Sequence, residues 1–259
     1  MNQENLSSLE NREEISLFDK ITGIYTEPSN VFENIKIFGA KVSDWFVPTF
    51  IYVIITILAT FIIMSNPDTK ATIQAEQRKA LEERLDKLVE ENKITKEQKE
   101  EQIATAEKFM STSTSFIFQS LGILVFTFVF LFLISLVYWL VWVFLLKGKG
   151  NFNFSLSVYG LAQMIFVIEV ILSAIVALLL SKPVQGISLA LMFDLEKGTT
   201  LRYFLSKINP FTFWWLYVMG VGLAKVYELD KKKSLFAIIV VWLIYVVIGK
   251  FIPFISQTV

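Results

Sequence analysis

The chain has 259 residues, of which 54% are hydrophobic and 19% charged, with 24 Phe and 24 basic against 24 acidic side chains. That is too apolar for an ordinary soluble domain of this length, and the balanced charge gives no field that would recruit nucleic acid. Cys and His are absent, which removes disulfides, thiolate nucleophiles, imidazole bases and the zinc or haem sites built on those ligands.

Residues 1–45 are polar and mixed in charge, without the basic segment, apolar run and cleavage site of a signal peptide. The first membrane span is therefore expected to act as its own insertion signal. Within this N-terminal segment Pro28 offers a helix start, and Val31, Ile35, Phe38 and Val42 follow at spacings of four, three and four. The pattern predicts an amphipathic helix over about 28–42 that rests in the headgroup layer, with Lys36 and Lys41 beside its apolar stripe. A helix packed on the cytosolic side of the bundle is the alternative.

A bilayer core of about 30 Å needs about 20 apolar residues whose backbone groups all bond within the segment. Five runs qualify as predicted spans: 46–65, 116–146, 158–181, 211–226 and 234–252, the fourth being the shortest. The fold class is thus all-α, a polytopic bundle with its last four spans in 116–252 and a short tail at 253–259. Trp45, Trp142, Trp214 and Trp215 lie near span ends and are expected to anchor in the interface. Gly220 with Ala224, and Ser173 with Ala177, place small residues four apart where a neighbouring helix can come close.

Between the first two spans, residues 66–115 turn abruptly polar. Leu81, Leu85 and Leu88 repeat at helical spacing, a break follows at "EENKIT", and Ile103, Ala106 and Met110 share a second face. Thr95 with Gln98 reads as a capping box, and Glu83 with Lys87 as a favourable pair one turn apart. The insert is expected to be a charged, coiled-coil-like helical hairpin standing outside the membrane. Residues 70–110 are then a candidate contact for a membrane-protein partner or a second copy of the chain, or a solvated spacer.

Within the third predicted span, "FVIEVILSA" places Glu169 twelfth of 24 residues, near mid-membrane. A carboxylate costs at least a few kcal/mol there, so it must face protein, water or a cation, or stay protonated. Ser173 follows four residues later on the same face, and Gln163 shares that face poorly. Three readings stay open: a polar group hydrogen-bonded inside the bundle, a tie between helices, and a proton or cation relay. Intramembrane proteolysis finds no chemistry, because there is no His and Asp194 and Asp230 fall in loops. No phosphate-binding or dinucleotide glycine pattern is present, so no catalytic residue, metal or cofactor is expected. "INPFTFWW", with Asn209 and Pro210, reads as the entrance to the fourth span.

Two stretches taken together, "TEPSNVFENIK" before the first span and "FDLEKGTTLRYFLSKINPFTFWWLYVMGVGLAKVYELDKKKSLFAIIVVWLI" across the last two, resemble the Yip1 domain family, in particular its prokaryotic members. The resemblance covers about residues 20–252 without the insert. It implies an integral membrane protein of five helices with a cytosolic N-terminus, in the inner membrane if the chain is prokaryotic. In eukaryotic relatives it also implies contact with Rab-type GTPases in vesicle traffic. This chain lacks the "DLYGP" element of those relatives, and its insert replaces the family's short first loop.

Basic residues point the same way. The "DKKKS" cluster before the last span, with Lys36, Lys41, Lys147, Lys149 and Lys225, places the N-terminus inside and the C-terminus outside. The expected function is a non-enzymatic scaffold or adaptor whose partners are membrane lipids and membrane proteins. A small transporter or channel built on Glu169 is the alternative.

Overall fold

The computed structural model describes residues 13–110, 113–184, 186–193, 195–196 and 198–252. The expected tail 253–259, residues 1–12 of the N-terminal segment, Ser111 and Thr112 of the insert, and Asp194 lie outside the described residues. Every regular element among them is helical: α1 Leu17–Thr26, α2 Pro28–Phe38, α3 Val42–Ser65, α4 Pro67–Glu90, α5 Lys96–Met110, α6 Ser113–Trp139, α7 Phe152–Ala162, α8 Met164–Leu180, α9 Thr200–Lys207, α10 Pro210–Val226 and α11 Lys231–Phe251. A π turn, Leu140–Leu145, continues α6, and a 3-10 turn, Leu189–Met192, precedes α9.

Four stretches are long and apolar enough to cross a membrane: Val42–Ser65, Thr114–Leu145, Phe152–Leu180 and Lys231–Phe251. Their outward faces carry exposed Phe, Leu, Ile and Val, so they are apolar all round, as a lipid-facing helix must be. The fourth expected span, 211–226, departs from this. It is α10, with 17 residues and so about 25 Å of length. α10 is the centre of the bundle, with Leu216, Val218, Met219, Val221 and Leu223 buried among its neighbours.

The helices run up and down around it. α6 lies antiparallel to α3, with Phe116 on Phe61 and Phe128 on Phe46. α7 and α8 form one nearly continuous rod broken at Gln163, and α10 descends beside it from Asn209, next to Glu169, to Tyr227, next to Ser155. The third span thus begins at Phe152, not at 158, because Asn151 caps the first turn by accepting the Phe154 N–H. Gly160 lets α3 approach the rod so closely that a Cβ there would stand 2.5 Å from the Trp45 Cα.

The predicted helix over 28–42 is shorter than expected. It ends at Phe38, where Gly39 turns the chain at φ 86°, and Val42 opens α3. Its stripe is also spent differently: Val31, Phe32 and Ile35 are buried, and the Phe32 ring lies against Gly222 of α10. Phe38 and Val42, further along the same stripe, are exposed. α1 has no counterpart among the predicted elements. Ser16 caps it by accepting the Asp19 N–H, and Lys20 is buried at its centre, 3.0 Å from Asp44 and 3.3 Å from Glu14.

Charged pairs hold the same end of the bundle together. Lys225 meets Glu33 at 2.8 Å, Lys36 meets Glu228 at 3.4 Å, and the Lys233 ammonium donates to the Leu146 carbonyl. Beyond Ser65, Asn66 caps α4 and Pro67 starts it, so the charged arm follows α3 after a single-residue joint. α5 returns beside α4, with Arg78 2.9 Å from Glu107 and Lys99 on Asp86. Thr95 and Gln98 exchange both bonds of the capping box, and Leu85 is buried between the arms. Glu83 lies 3.9 Å from Lys79, one turn before it.

Candidate functional site

Glu169 is the eighteenth residue of the 29-residue rod Phe152–Leu180, three residues past its centre. Its neighbourhood is built by the chain that follows. α8 ends at Ser181 in the left-handed region, and the loop then turns back at Gly186, φ 111°. Only a glycine fits there: a Cβ would stand 2.7 Å from Glu169 Oε1. The next residue, Ile187, donates its N–H to that oxygen at 3.3 Å. The loop is pinned in turn by the Leu189 N–H bonding to the Ile208 carbonyl at 2.9 Å.

Asn209 completes the arrangement. Its Oδ1 accepts the Phe211 N–H at 2.9 Å and so caps α10, while its Nδ2 donates to the same Glu169 Oε1. The carboxylate therefore faces the start of α10, where exposed N–H groups and the helix dipole favour negative charge. Pro210 as first helical residue leaves no donor to be satisfied at that position. Glu169 is half-buried, and its two donors come from a loop 18 residues away and a helix cap 40 residues away. The group thus fastens α8, the loop at 186–187 and the head of α10 at one point.

The other residues singled out in the sequence are not drawn into a chain of bonds with it. Ser173 is buried with its hydroxyl unpartnered among the described residues, as is Gln163 Oε1 at the joint of the rod. Among the described residues no group of three acidic side chains gathers to hold a metal ion. Gly220 packs on Leu235 of α11, where a Cβ would stand 2.6 Å from Leu235 Cδ2, and Ala224 is buried one turn below.

The tryptophans divide. Trp45 lies against Gly160 and edge-on to Phe132, and Trp214 is half-buried edge-on to Tyr25. Trp142 and Trp215 are core residues and so are not interfacial anchors. The π turn swings Trp142 inward, where it is 0% exposed and donates to Ser234 Oγ at 2.8 Å. Trp215 is enclosed by the rings of Tyr159, Phe166 and Tyr138. A side chain walled in by protein has no headgroups to meet.

Sequence reasoning missed Asn209 and Ile187 as partners of Glu169, and the buried pair Lys20–Asp44. For Asn209 a signal existed, since Asn before Pro announces a cap whose amide is still free to bond elsewhere. For Lys20 none did.

Apolar helices with outward hydrocarbon faces, tied to one another by polar contacts, define a polytopic helical integral membrane protein. The model of the Yip1 domain matches residues 22–251, and the chain belongs to that family. No curated protein matches it. No solved structure matches it. The Yip1 family is not known as an enzyme family.

Proposed function

We propose that this Yip1-family chain is a non-enzymatic organiser or adaptor that displays the α4–α5 hairpin to other membrane proteins. The observation that carries the reading is the hairpin itself. α4 has 24 residues and so extends about 36 Å, and its charged flanks pack on little besides α5. A charged arm of that length adds nothing to the lipid-embedded core, whereas it suits partner recognition through complementary charge.

Glu169 supports the same reading. Both donors converge on one oxygen and belong to the chain's own backbone and helix cap, which suits a fixed tie between elements. The clustering of Lys36, Lys225 and Lys233 with α1 and α2 favours that end as cytoplasmic. With α10 counted as a short crossing, the hairpin and the C-terminus then face the opposite side.

The test removes residues 70–110 and joins the ends with a short flexible linker. Phe61 and Phe116, on the helices either side of the hairpin, stay in contact, so the bundle is expected to keep its unfolding midpoint. Crosslinking and co-purification from native membranes are expected to lose partners with this variant and to retain them with Glu169→Gln. An unchanged partner set after removal of the hairpin overturns the reading. Proton or cation flux in proteoliposomes that vanishes in Glu169→Gln would establish the transporter alternative.

A further inference from the structure

The segment between α8 and α10 also carries an exposed apolar feature. Leu201 and Phe204 of α9 and its C-cap Ile208 lie at spacings of three and four, and all are exposed. Beside them the 3-10 turn exposes Leu191 and Met192, the latter 77% accessible, followed by exposed Phe193. This apolar patch adjoins the outward face of α11, since Tyr203 of α9 is fully buried and bonds the Val246 carbonyl of α11 at 2.8 Å. α9 thus lies along the bundle as an amphipathic helix with its apolar side facing outward.

Two cations meet on the inner side of that helix. The ammonium of Lys207 is 4.7 Å from the centroid of the Tyr203 ring, and that of Lys250, from the last turn of α11, is 5.5 Å from the same centroid. Among the described residues no carboxylate lies within ion-pair distance of either. Burial pushes the Lys207 ammonium below its ordinary range, with no opposing anion. Two positive groups from different helices, held on one aromatic ring and bordered by exposed hydrocarbon, form a cradle for a negative headgroup with its chains along α9.

We propose that Lys207 and Lys250 bind the phosphate of an anionic phospholipid whose acyl chains lie on the face made by Leu201, Phe204 and Ile208. The site is independent of the hairpin and of the adaptor reading. Occupancy gives α9 the counter-charge it lacks and fixes the depth of the loop that carries Gly186 and Ile187 to Glu169.

The probe is phosphatidylglycerol, with phosphatidylcholine and inorganic phosphate as comparisons, added to the full chain in non-denaturing detergent and read by native mass spectrometry. The unaltered chain is expected to bind phosphatidylglycerol about tenfold more tightly than phosphatidylcholine. Lys207→Gln and Lys250→Gln are each expected to weaken that binding about fivefold, and the pair about thirtyfold. Arg at both positions is expected to retain it, and Lys232→Gln at the other end of α11 to leave it unchanged. Should the double Gln variant fail to fold, the single variants carry the comparison. Equal affinity for the two lipids overturns the proposal, as does unchanged binding in the Gln variants. Equal competition by inorganic phosphate also overturns it, because the acyl chains would then contribute nothing.

Discussion

Replacing Asp44 by Ala tests the clamp between α1 and α3. Lys20 and Asp44 are 2% and 1% exposed and 3.0 Å apart, so removing one partner strands a buried charge, at a cost of about 3–5 kcal/mol. Glu14, 3.3 Å from Lys20 and solvated, offsets a small part of this. Asp44 also accepts the Lys41 N–H at 2.9 Å, and losing that bond at the head of α3 adds about 1 kcal/mol. The net expectation for Asp44→Ala is again about 3–5 kcal/mol. Lys20→Met leaves the carboxylate one backbone donor and is expected to cost about 2–4 kcal/mol. With both replaced no charge is stranded, and the loss is expected to fall to about 1–2 kcal/mol. Unfolding of the purified chain by sodium dodecyl sulfate in mixed micelles gives the four free energies of this cycle. A coupling of about 3 kcal/mol or more is expected, and additive losses, with coupling under about 0.5 kcal/mol, would refute a buried clamp.

Three further outcomes follow from contacts elsewhere. Gly160→Leu drives a side chain into the Trp45 backbone and is expected to cost about 3 kcal/mol or more in the same micelle titration, with Gly160→Ala already measurably worse than the parent. Trp142→Phe removes the donor to Ser234 and is expected to cost about 1–2 kcal/mol, while Ser234→Ala added to it also removes the hydroxyl's bond to the Gly220 carbonyl and costs about 1 kcal/mol more. Around Glu14, the Lys41 ammonium, helped by Lys20, holds the carboxyl below its ordinary value near 4.5. A depressed carboxyl stabilises the fold above its unfolded value, and that contribution is lost as pH falls through the folded one. Pepsin is therefore expected to nick α1 faster as the pH drops below about 4.5, after correction for its own pH profile, and Glu14→Gln to be nicked rapidly throughout.

The sequence conveyed the long apolar helices well, because lipid imposes a length and a composition that need no tertiary context. Three predicted runs, 46–65, 116–146 and 234–252, fall within or nearly within Val42–Ser65, Thr114–Leu145 and Lys231–Phe251. The hairpin was legible for a similar reason, its leucine spacing and its Thr95–Gln98 box being local signals. α1 and α9 were not, since helices of ten and eight residues are held by burial of Lys20 and Tyr203 against distant elements. The start of the third span at Phe152 was hidden by the polar "NFNFSLS". There Ser155 is buried and bonded to the Tyr227 hydroxyl at 2.6 Å, a pairing that only the fold creates. Direction around a helix was equally hidden, so Trp142 read as an anchor near Lys147 although the π turn points it inward. For Glu169 the sequence required a polar partner, but Ile187 and Asn209 become its partners only when the loop folds back.

The most direct test of the account is the unfolding free energy of Glu169→Leu beside that of Glu169→Gln, measured in mixed micelles on the full chain. Leucine leaves the Asn209 amide and the Ile187 N–H without their acceptor, and a loss of about 2–4 kcal/mol is expected. Glutamine keeps an oxygen in place, and a change within about 1 kcal/mol is expected. A leucine variant as stable as the unaltered chain would contradict the account, for the acid would then be fastening nothing.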